Sequence, residues 1–210
     1  MEIFIYHLFI CWLIIAVFMV LLWAIQIKTG NAAIADVGWA YSIAFGILYF
    51  YFIGDGNKER IIITTAMGIV WGLRLGTYLL INRIINAQED SRYQNFRKSA
   101  GNNVLGYFFL FFQAQAVVAI LFVIPIVIVF YNPNPLNYLD IAALFIWLLS
   151  MAGECVADKQ LSSFKANKSN AGKVFRNGLW KYSRHPNYFF EWIHWWSYVL
   201  LNFGSNNLWI

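Results

Sequence analysis

The chain has 210 residues, of which 60% are hydrophobic, 20% aromatic and only 12% charged, whereas an ordinary soluble domain is about 25% charged. Long uncharged runs exclude a soluble globular protein, and no polar region is large enough to form a soluble domain. The expected architecture is all-α: a polytopic transmembrane helix bundle of about six spans, forming a single membrane-embedded domain over residues 1–210. The net charge of +5 points to membrane topology and not to nucleic acid. Cys11 and Cys155 both fall in apolar segments, give neither a disulfide framework nor a metal spacing, and read as small buried hydrophobes.

In chain order, Ile3–Ile27 is apolar and uncharged, long enough to cross a bilayer at 1.5 Å per residue. It lacks the basic leading region of a cleavable signal. His7 sits near its outer end as an interfacial residue. The second span is Val37–Ile53. Asp36 stands at its start, either as a helix N-cap acid favoured by the dipole or as an acid facing an internal cavity. Ile61–Asn82 is the third span, with Trp71, Arg74 and Tyr78 on one helical face. An intramembrane arginine such as Arg74 is expected to serve function or a buried ion pair. Residues 83–103 read as a polar loop centred on Glu89-Asp90-Ser91-Arg92-Tyr93, followed by Arg97 and Lys98.

Val104–Phe130 is the fourth span, with Gln113 and Gln115 inside it and Pro125 placed to kink it. A buried glutamine is expected to hydrogen-bond to a neighbouring helix. Asn132-Pro133-Asn134-Pro135 is an uncharged turn. The fifth span, Leu139–Ala157, is followed by Asp158. Glu154 and Asp158 are four apart, share a face, and need cations or a ligand between them. A loop bearing Lys, Asn and Gly follows, and then the most informative stretch of the chain.

That stretch is Gly178-Leu-Trp-Lys-Tyr-Ser-Arg-His-Pro-Asn-Tyr-Phe-Phe-Glu191. Proline favours the first helical position, so a helix starting at Pro186 directs its free N–H groups at the Arg184-His185 turn and makes an anion site. Asn187 and Glu191 share a face of that helix, with His194 further along, and Asn187–Phe203 is the sixth span. The loops after spans one, three and five hold most of the Lys and Arg. The positive-inside rule therefore makes those loops cytoplasmic and turns the N-terminus outward. Asn82, Arg83, Glu89 to Tyr93, Glu154, Asp158, Arg184 and Asn187 then gather on the cytoplasmic side. Such a set of cations, carboxylates and aromatic rings suits a nucleotide-like cofactor beside a pocket for an apolar lipid. No Gly-x-Gly-x-x-Gly or Walker motif is present, and no di-metal site or Ser-His-Asp arrangement can be assembled; no metal is expected.

The 178–191 stretch resembles the signature of the membrane steroid 5-alpha-reductase-like family, in its uncharacterised bacterial branch and the related sterol reductases. Trp71-Gly-Leu-Arg-Leu-Gly-Thr-Tyr78 with Asn82-Arg83, the Glu89 to Tyr93 segment, and Glu154-Cys-Val-Ala-Asp158-Lys-Gln160 resemble other family segments. The likeness spans roughly residues 31 to 200. It implies a membrane oxidoreductase that uses NADPH to reduce a carbon–carbon double bond conjugated to a carbonyl in a steroid-like or isoprenoid lipid. Carried over, Asn82, Arg83, Asp158, Arg176, Asn187 and Glu191 would line the cofactor. Arg184 and His185 add phosphate contacts from the reading of the residues themselves. The catalytic candidates are Asp36, as the acid that polarises the carbonyl, and Tyr78, as a proton donor.

Three positions depart from the family pattern. Trp71 stands where animal steroid reductases carry a tyrosine, and an indole donates a hydrogen bond without being a proton donor. Phe190 replaces a glycine, where it is expected to crowd the cofactor. The chain ends at Ile210, so a C-terminal family segment is expected to be missing. Two other readings compete. One is an S-adenosylmethionine-dependent membrane methyltransferase of the isoprenylcysteine carboxyl type, which shares the Arg-His-Pro-x-Tyr turn. The other is non-enzymatic, an inactive truncated paralogue or a lipid-binding membrane protein.

Overall fold

A computed structural model describes residues 2–85, 88–170 and 172–203, and every regular element among them is helical. The fold separates into two compact units, one within Met1–Tyr131 and one within Asn132–Leu208.

The first unit contains α1 (Glu2–Thr29), α2 (Ile34–Tyr51), α3 (Lys58–Leu79), α4 (Ser91–Ala100) and α5 (Val104–Ile128). In α1, Cys11, Ile15, Met19 and Leu22 are buried at helical spacing, while Ile3, Ile5, Phe9, Val17 and Leu21 are exposed. Exposed apolar side chains on so long a helix are the outer face of a membrane span, where hydrocarbon replaces water. α3 starts where the Asn57 side chain accepts the Arg60 N–H at 3.0 Å, a side-chain N-cap. It then lays Gly68, Gly72 and Gly76 against α2. A Cβ on Gly72 would stand 3.0 Å from the Ala44 Cβ and 3.1 Å from the Ala40 carbonyl oxygen. Ile47 and Tyr41 fill the corresponding places over Gly68 and Gly76. This small-residue stripe lets the two backbones approach closely, the usual means of helix association in lipid. Gln113 donates to the Ala16 carbonyl of α1 at 3.4 Å, as expected for a glutamine inside a span.

The second unit contains α6 (Tyr138–Ala166) and α7 (Pro186–Asn202). A capping box opens α6: Asn137 accepts from Leu139 N at 2.8 Å, and Asp140 accepts from Asn137 N at 2.7 Å. α6 outruns its expected end at Ala157 by nine residues, since Asp158 to Ala166 continue the helix. The polar residues of that extension lower the hydropathy without breaking the helix, and its Phe164 stacks on Phe175 at 4.6 Å. α7 begins with Pro186 in its first turn, as expected. The Phe190 ring fills the notch over Gly153 of α6. Phe190 therefore serves helix packing here.

Five helical stretches are long and apolar enough to cross a membrane: α1, α2, α3 with the turn directly after it, the stretch containing α5, and α6. α7, with 17 residues, is not among them, and the expected sixth span is shorter than these five. The expected loop 83–103 is not all loop, because α4 lies within it. Asp90 caps α4 through the Arg92 N–H at 3.0 Å. Gly101 ends it with a φ of 54°, a conformation that costs glycine least.

Candidate functional site

In the first unit the polar residues close on the start of α2. α3 slackens after Leu79 into a π-helical turn, Leu80–Ile85, in which the Asn82 side chain donates to the Tyr78 carbonyl at 2.9 Å. Such a turn carries an extra residue per hydrogen-bonded ring and changes the direction in which its side chains point. Arg83, on this turn, forms an ion pair with Asp36, and the Arg83 carbonyl accepts from Asn31 at 3.0 Å. α4 supplies the other ligands of the same carboxylate. The Tyr93 hydroxyl donates to Asp36 Oδ1 at 2.6 Å, and Arg92 Nη2 lies 3.5 Å from Oδ2. Asp36 thus stands in the first turn of α2 without capping it; Ala33 is the N-cap and offers no side-chain bond. With two guanidiniums and a phenol on it, the Asp36 carboxylate is an anchor for Tyr93 and Arg83.

A second acid continues the network. Glu89 accepts the Ala32 backbone N–H at 2.8 Å and Arg97 Nε at 2.9 Å. Arg97 also donates to Gln26 at 2.8 Å and to the Gly30 carbonyl at 3.2 Å, and it lies 4.6 Å from the centroid of the Phe108 ring. Gln26 is 1% exposed. At the mouth of α4, burial works to raise the Asp90 pKa, but the Arg92 N–H and guanidinium outweigh it and hold the carboxyl below its ordinary value. Tyr78 is half-buried one turn before Asn82, with the Arg74 guanidinium 5.9 Å from its ring centroid.

In the second unit the signature stretch wraps an open cleft of about 860 Å³, lined by Arg176, Lys181, Arg184 and His185 together with Phe175, Trp180, Tyr182 and Ser183 among others. Gly178, at φ 60°, starts the turn. Its missing Cβ would meet the Gln160 amide at 2.5 Å, and Gln160 uses the room to accept the Leu179 N–H at 3.0 Å. Trp180 donates from its indole to the Ala157 carbonyl at 3.0 Å. The turn is therefore fastened to the end of α6 at two points. His185 stacks on Tyr188 at 5.2 Å. Beside this turn Asn187 donates to the buried Asp158 at 3.3 Å. Its own carbonyl oxygen Oδ1 is buried with no donor among the described residues. Arg176 and Arg184 are exposed and form no ion pair among the described residues.

The family of proteins of unknown function DUF1295 matches residues 22–209. The chain belongs to this family. The match takes in every candidate residue from Asp36 to Glu191. No curated protein and no solved structure matches the chain.

Within this DUF1295 chain, the expected cofactor residues of the second unit form two groups. Arg176, Arg184 and His185 share the cleft, and Asp158 and Asn187 bond to each other. Glu191 is half-buried one turn along α7 from Asn187. Asn82 and Arg83 belong to the first unit, where Arg83 serves Asp36. Sequence reasoning named Tyr93 and Gln160 only as members of longer segments, without a role of their own, and did not single out Gln26. Tyr93 had one available signal: Asp90 and Ser91 ahead of a polar stretch are a helix-start pattern, and a helix there turns Tyr93 inward. Gln26 and Gln160 carry no comparable signal. Among the described residues no group of His, Cys, Asp and Glu is placed to hold a metal ion.

Proposed function

We propose that the chain is a membrane oxidoreductase of the steroid 5-alpha-reductase-like kind, which draws on NADPH to reduce a carbon–carbon double bond conjugated to a carbonyl in a steroid-like or isoprenoid lipid. The observation that supports this most is the cleft of the second unit, with Arg176 and Arg184 facing it unpaired by any carboxylate among the described residues. Cations held in that way answer a polyanion, and a diphosphate with a ribose phosphate is one. The cleft's size falls in the ~300–1,000 Å³ range of small-molecule sites, and Trp180 and Tyr182 offer ring faces. The buried Asn187 Oδ1 is an acceptor that a ribose hydroxyl or a carboxamide N–H would satisfy.

When bound, NADPH supplies hydride. The residues supply position and charge. Arg176, Lys181, Arg184 and His185 hold phosphate, and Asn187, oriented by Asp158, takes a donor. For the proton, the Asp36 carboxylate already accepts from Tyr93 and pairs with Arg83 and Arg92. Tyr78 is the better donor of the two catalytic candidates, because its hydroxyl carries a proton to give whereas the paired Asp36 carboxylate only accepts. The excess of Lys and Arg in the loops after spans one, three and five supports a cytoplasmic cleft. S-adenosylmethionine, whose sulfonium is cationic, suits the same cleft poorly.

The test is binding of NADPH and of S-adenosylmethionine, side by side, to the chain purified in detergent. NADPH is expected to bind, more weakly as salt rises. Arg184→Ala and Arg176→Ala should each lose about tenfold, from a charge-assisted hydrogen bond of ~1.5 kcal/mol. Binding of the methyl donor without NADPH sinks the proposal.

A further inference from the structure

A second cavity lies wholly in the first unit. It is a furrow of about 300 Å³ between α1 and α2, lined by Ile14, Ile15, Phe18, Tyr41, Ser42 and Phe45. Each helix contributes residues at i, i+1 and i+4, so two side-chain rows face each other across it. Ile14 and Phe45 are exposed at its rim, while Ile15 and Ser42 are each 1% exposed at its floor. Tyr41 makes one wall and is fixed there: its ring lies over Gly76, and its hydroxyl is 3.2 Å from Thr77 Oγ1. The furrow is therefore preformed.

The Ser42 hydroxyl decides what fits. Its oxygen is buried and has no hydrogen-bond partner among the described residues, although a serine in a helix ordinarily bonds back to its own backbone. It is the one hydroxyl on an otherwise apolar floor. Ser42 is the ninth residue of the 18-residue helix α2, ~12 Å from its start at 1.5 Å per residue. That depth is hydrocarbon, and the exposed rim opens to it. Phospholipid head groups and ester carbonyls lie nearer the surface. An ordinary acyl chain covers the furrow without meeting Ser42. A neutral lipid that carries an oxygen deep in the bilayer meets both the walls and the hydroxyl.

We infer that the α1–α2 furrow is a binding site for a neutral apolar lipid bearing one buried carbonyl or hydroxyl, which Ser42 recognises by a hydrogen bond. About ten carbon-sized groups fill the volume, taking the ~30 Å³ of a liquid water molecule as the yardstick. The site needs no cofactor, so it stands whether or not the cleft of the second unit binds NADPH.

The test uses the full chain in phosphatidylcholine nanodiscs and three diazirine probes: a long-chain ketone with its carbonyl at mid-chain, the matching alkane, and a phosphatidylcholine. The ketone should label the peptides around Ile14–Phe18 and Tyr41–Phe45 at a mole fraction about fivefold lower than the alkane, the ratio that one net hydrogen bond of ordinary strength supports. Ser42→Ala should erase that ratio while alkane labelling persists. Ser42→Leu should suppress both by filling the floor. Should that variant fail to fold, the Ser42→Ala comparison decides alone. Equal labelling by ketone and alkane in the wild type overturns the inference. So does a preference that survives Ser42→Ala, or phosphatidylcholine labelling the same peptides as well as the ketone.

Discussion

Replacing Tyr93 by Phe removes a single hydroxyl and leaves the ring where it is, edge-on to Phe111 at 5.7 Å and to Phe96 at 6.0 Å. The loss is the 2.6 Å hydrogen bond to Asp36. A hydrogen bond to a charged acceptor contributes about 1.5–3 kcal/mol. The Asp36 side chain is still 19% exposed and keeps Arg83 and Arg92, so the lower end, ~1.5 kcal/mol, applies. That bond is one of the few that tie α4 to α2, and its loss should appear as local opening. α4 amides are expected to exchange hydrogen roughly tenfold faster, while those in the buried stretch of α5 hold. The assay is hydrogen exchange read by mass spectrometry in detergent, in a double-mutant cycle with Asp36→Ala. The two substitutions should be strongly non-additive, since either one removes the same bond. Unchanged exchange in Tyr93→Phe, or full additivity in the cycle, would refute the reasoning that the phenol–carboxylate bond docks α4.

Gly178→Ala should destabilise the turn by ~1–2 kcal/mol through its positive φ and weaken NADPH binding. Gln160→Ala, which vacates the space that the new methyl needs, should make the double variant milder than the sum, as read by thermal melts and titrations in detergent. Gly72→Val drives a branched side chain into the Ala40 and Ala44 backbone of α2; overpacking of that kind costs ~1–3 kcal/mol, and a lowered melting temperature in detergent is the expected readout. Asp90 has a depressed carboxyl, so its cap on α4 is present above the ordinary aspartate value of ~3.9 and is lost as pH falls through the folded value below it. Asp90→Asn keeps an N-cap without a titrating group. Since Asp36 and Glu89 are present in both proteins, the difference between the two pH profiles of α4 exchange isolates Asp90, and identical profiles would contradict its role.

Hydropathy made the spans legible, because each is a continuous run that no other element of the chain imitates. Pro186 at the start of α7 was legible for a local reason, since proline restricts its own backbone. α4 was not, because a ten-residue polar helix with a mostly solvent-facing surface has the composition of a loop, and only its cap and the inward Tyr93 distinguish it. The extension of α6 was missed on the same ground: hydropathy registers polarity and not backbone conformation. Sequence reasoning placed Arg176, Arg184 and His185 on an anion site, and they do share one cleft. Arg83 came in through the family likeness alone, and its ion pair with Asp36 was not legible, because an arginine's partner is a fact of tertiary geometry. Asp36 is 47 residues from Arg83 and 57 from Tyr93, and no local spacing encodes either contact. The packing of Phe190 on Gly153 was not legible either, because that glycine lies on another helix.

The two units treat their charges differently, and that difference bears on function. In a chain so poor in charge, each ionic group is either neutralised or reserved for a ligand. In the first unit Arg83, Arg92 and Arg97 are answered by Asp36, Asp90 and Glu89. These pairs are partly exposed, so each is worth ~1 kcal/mol or less, but they share residues and hold one helix and one turn in place together. In the second unit Arg176 and Arg184 are like charges that line one cleft with no carboxylate partner among the described residues. Removing a cation should therefore have opposite consequences. Arg83→Ala should lower the melting temperature, because it leaves Asp36 short of a partner. Arg184→Ala should leave it unchanged or raise it, because it relieves repulsion, and should take its toll on anion binding alone. Melts of both variants in detergent at low and high salt read this directly, with the gain in Arg184→Ala fading as salt screens the repulsion. If Arg184→Ala proves the more destabilising of the two, the cleft's cations are structural and the case for a bound polyanion loses its support.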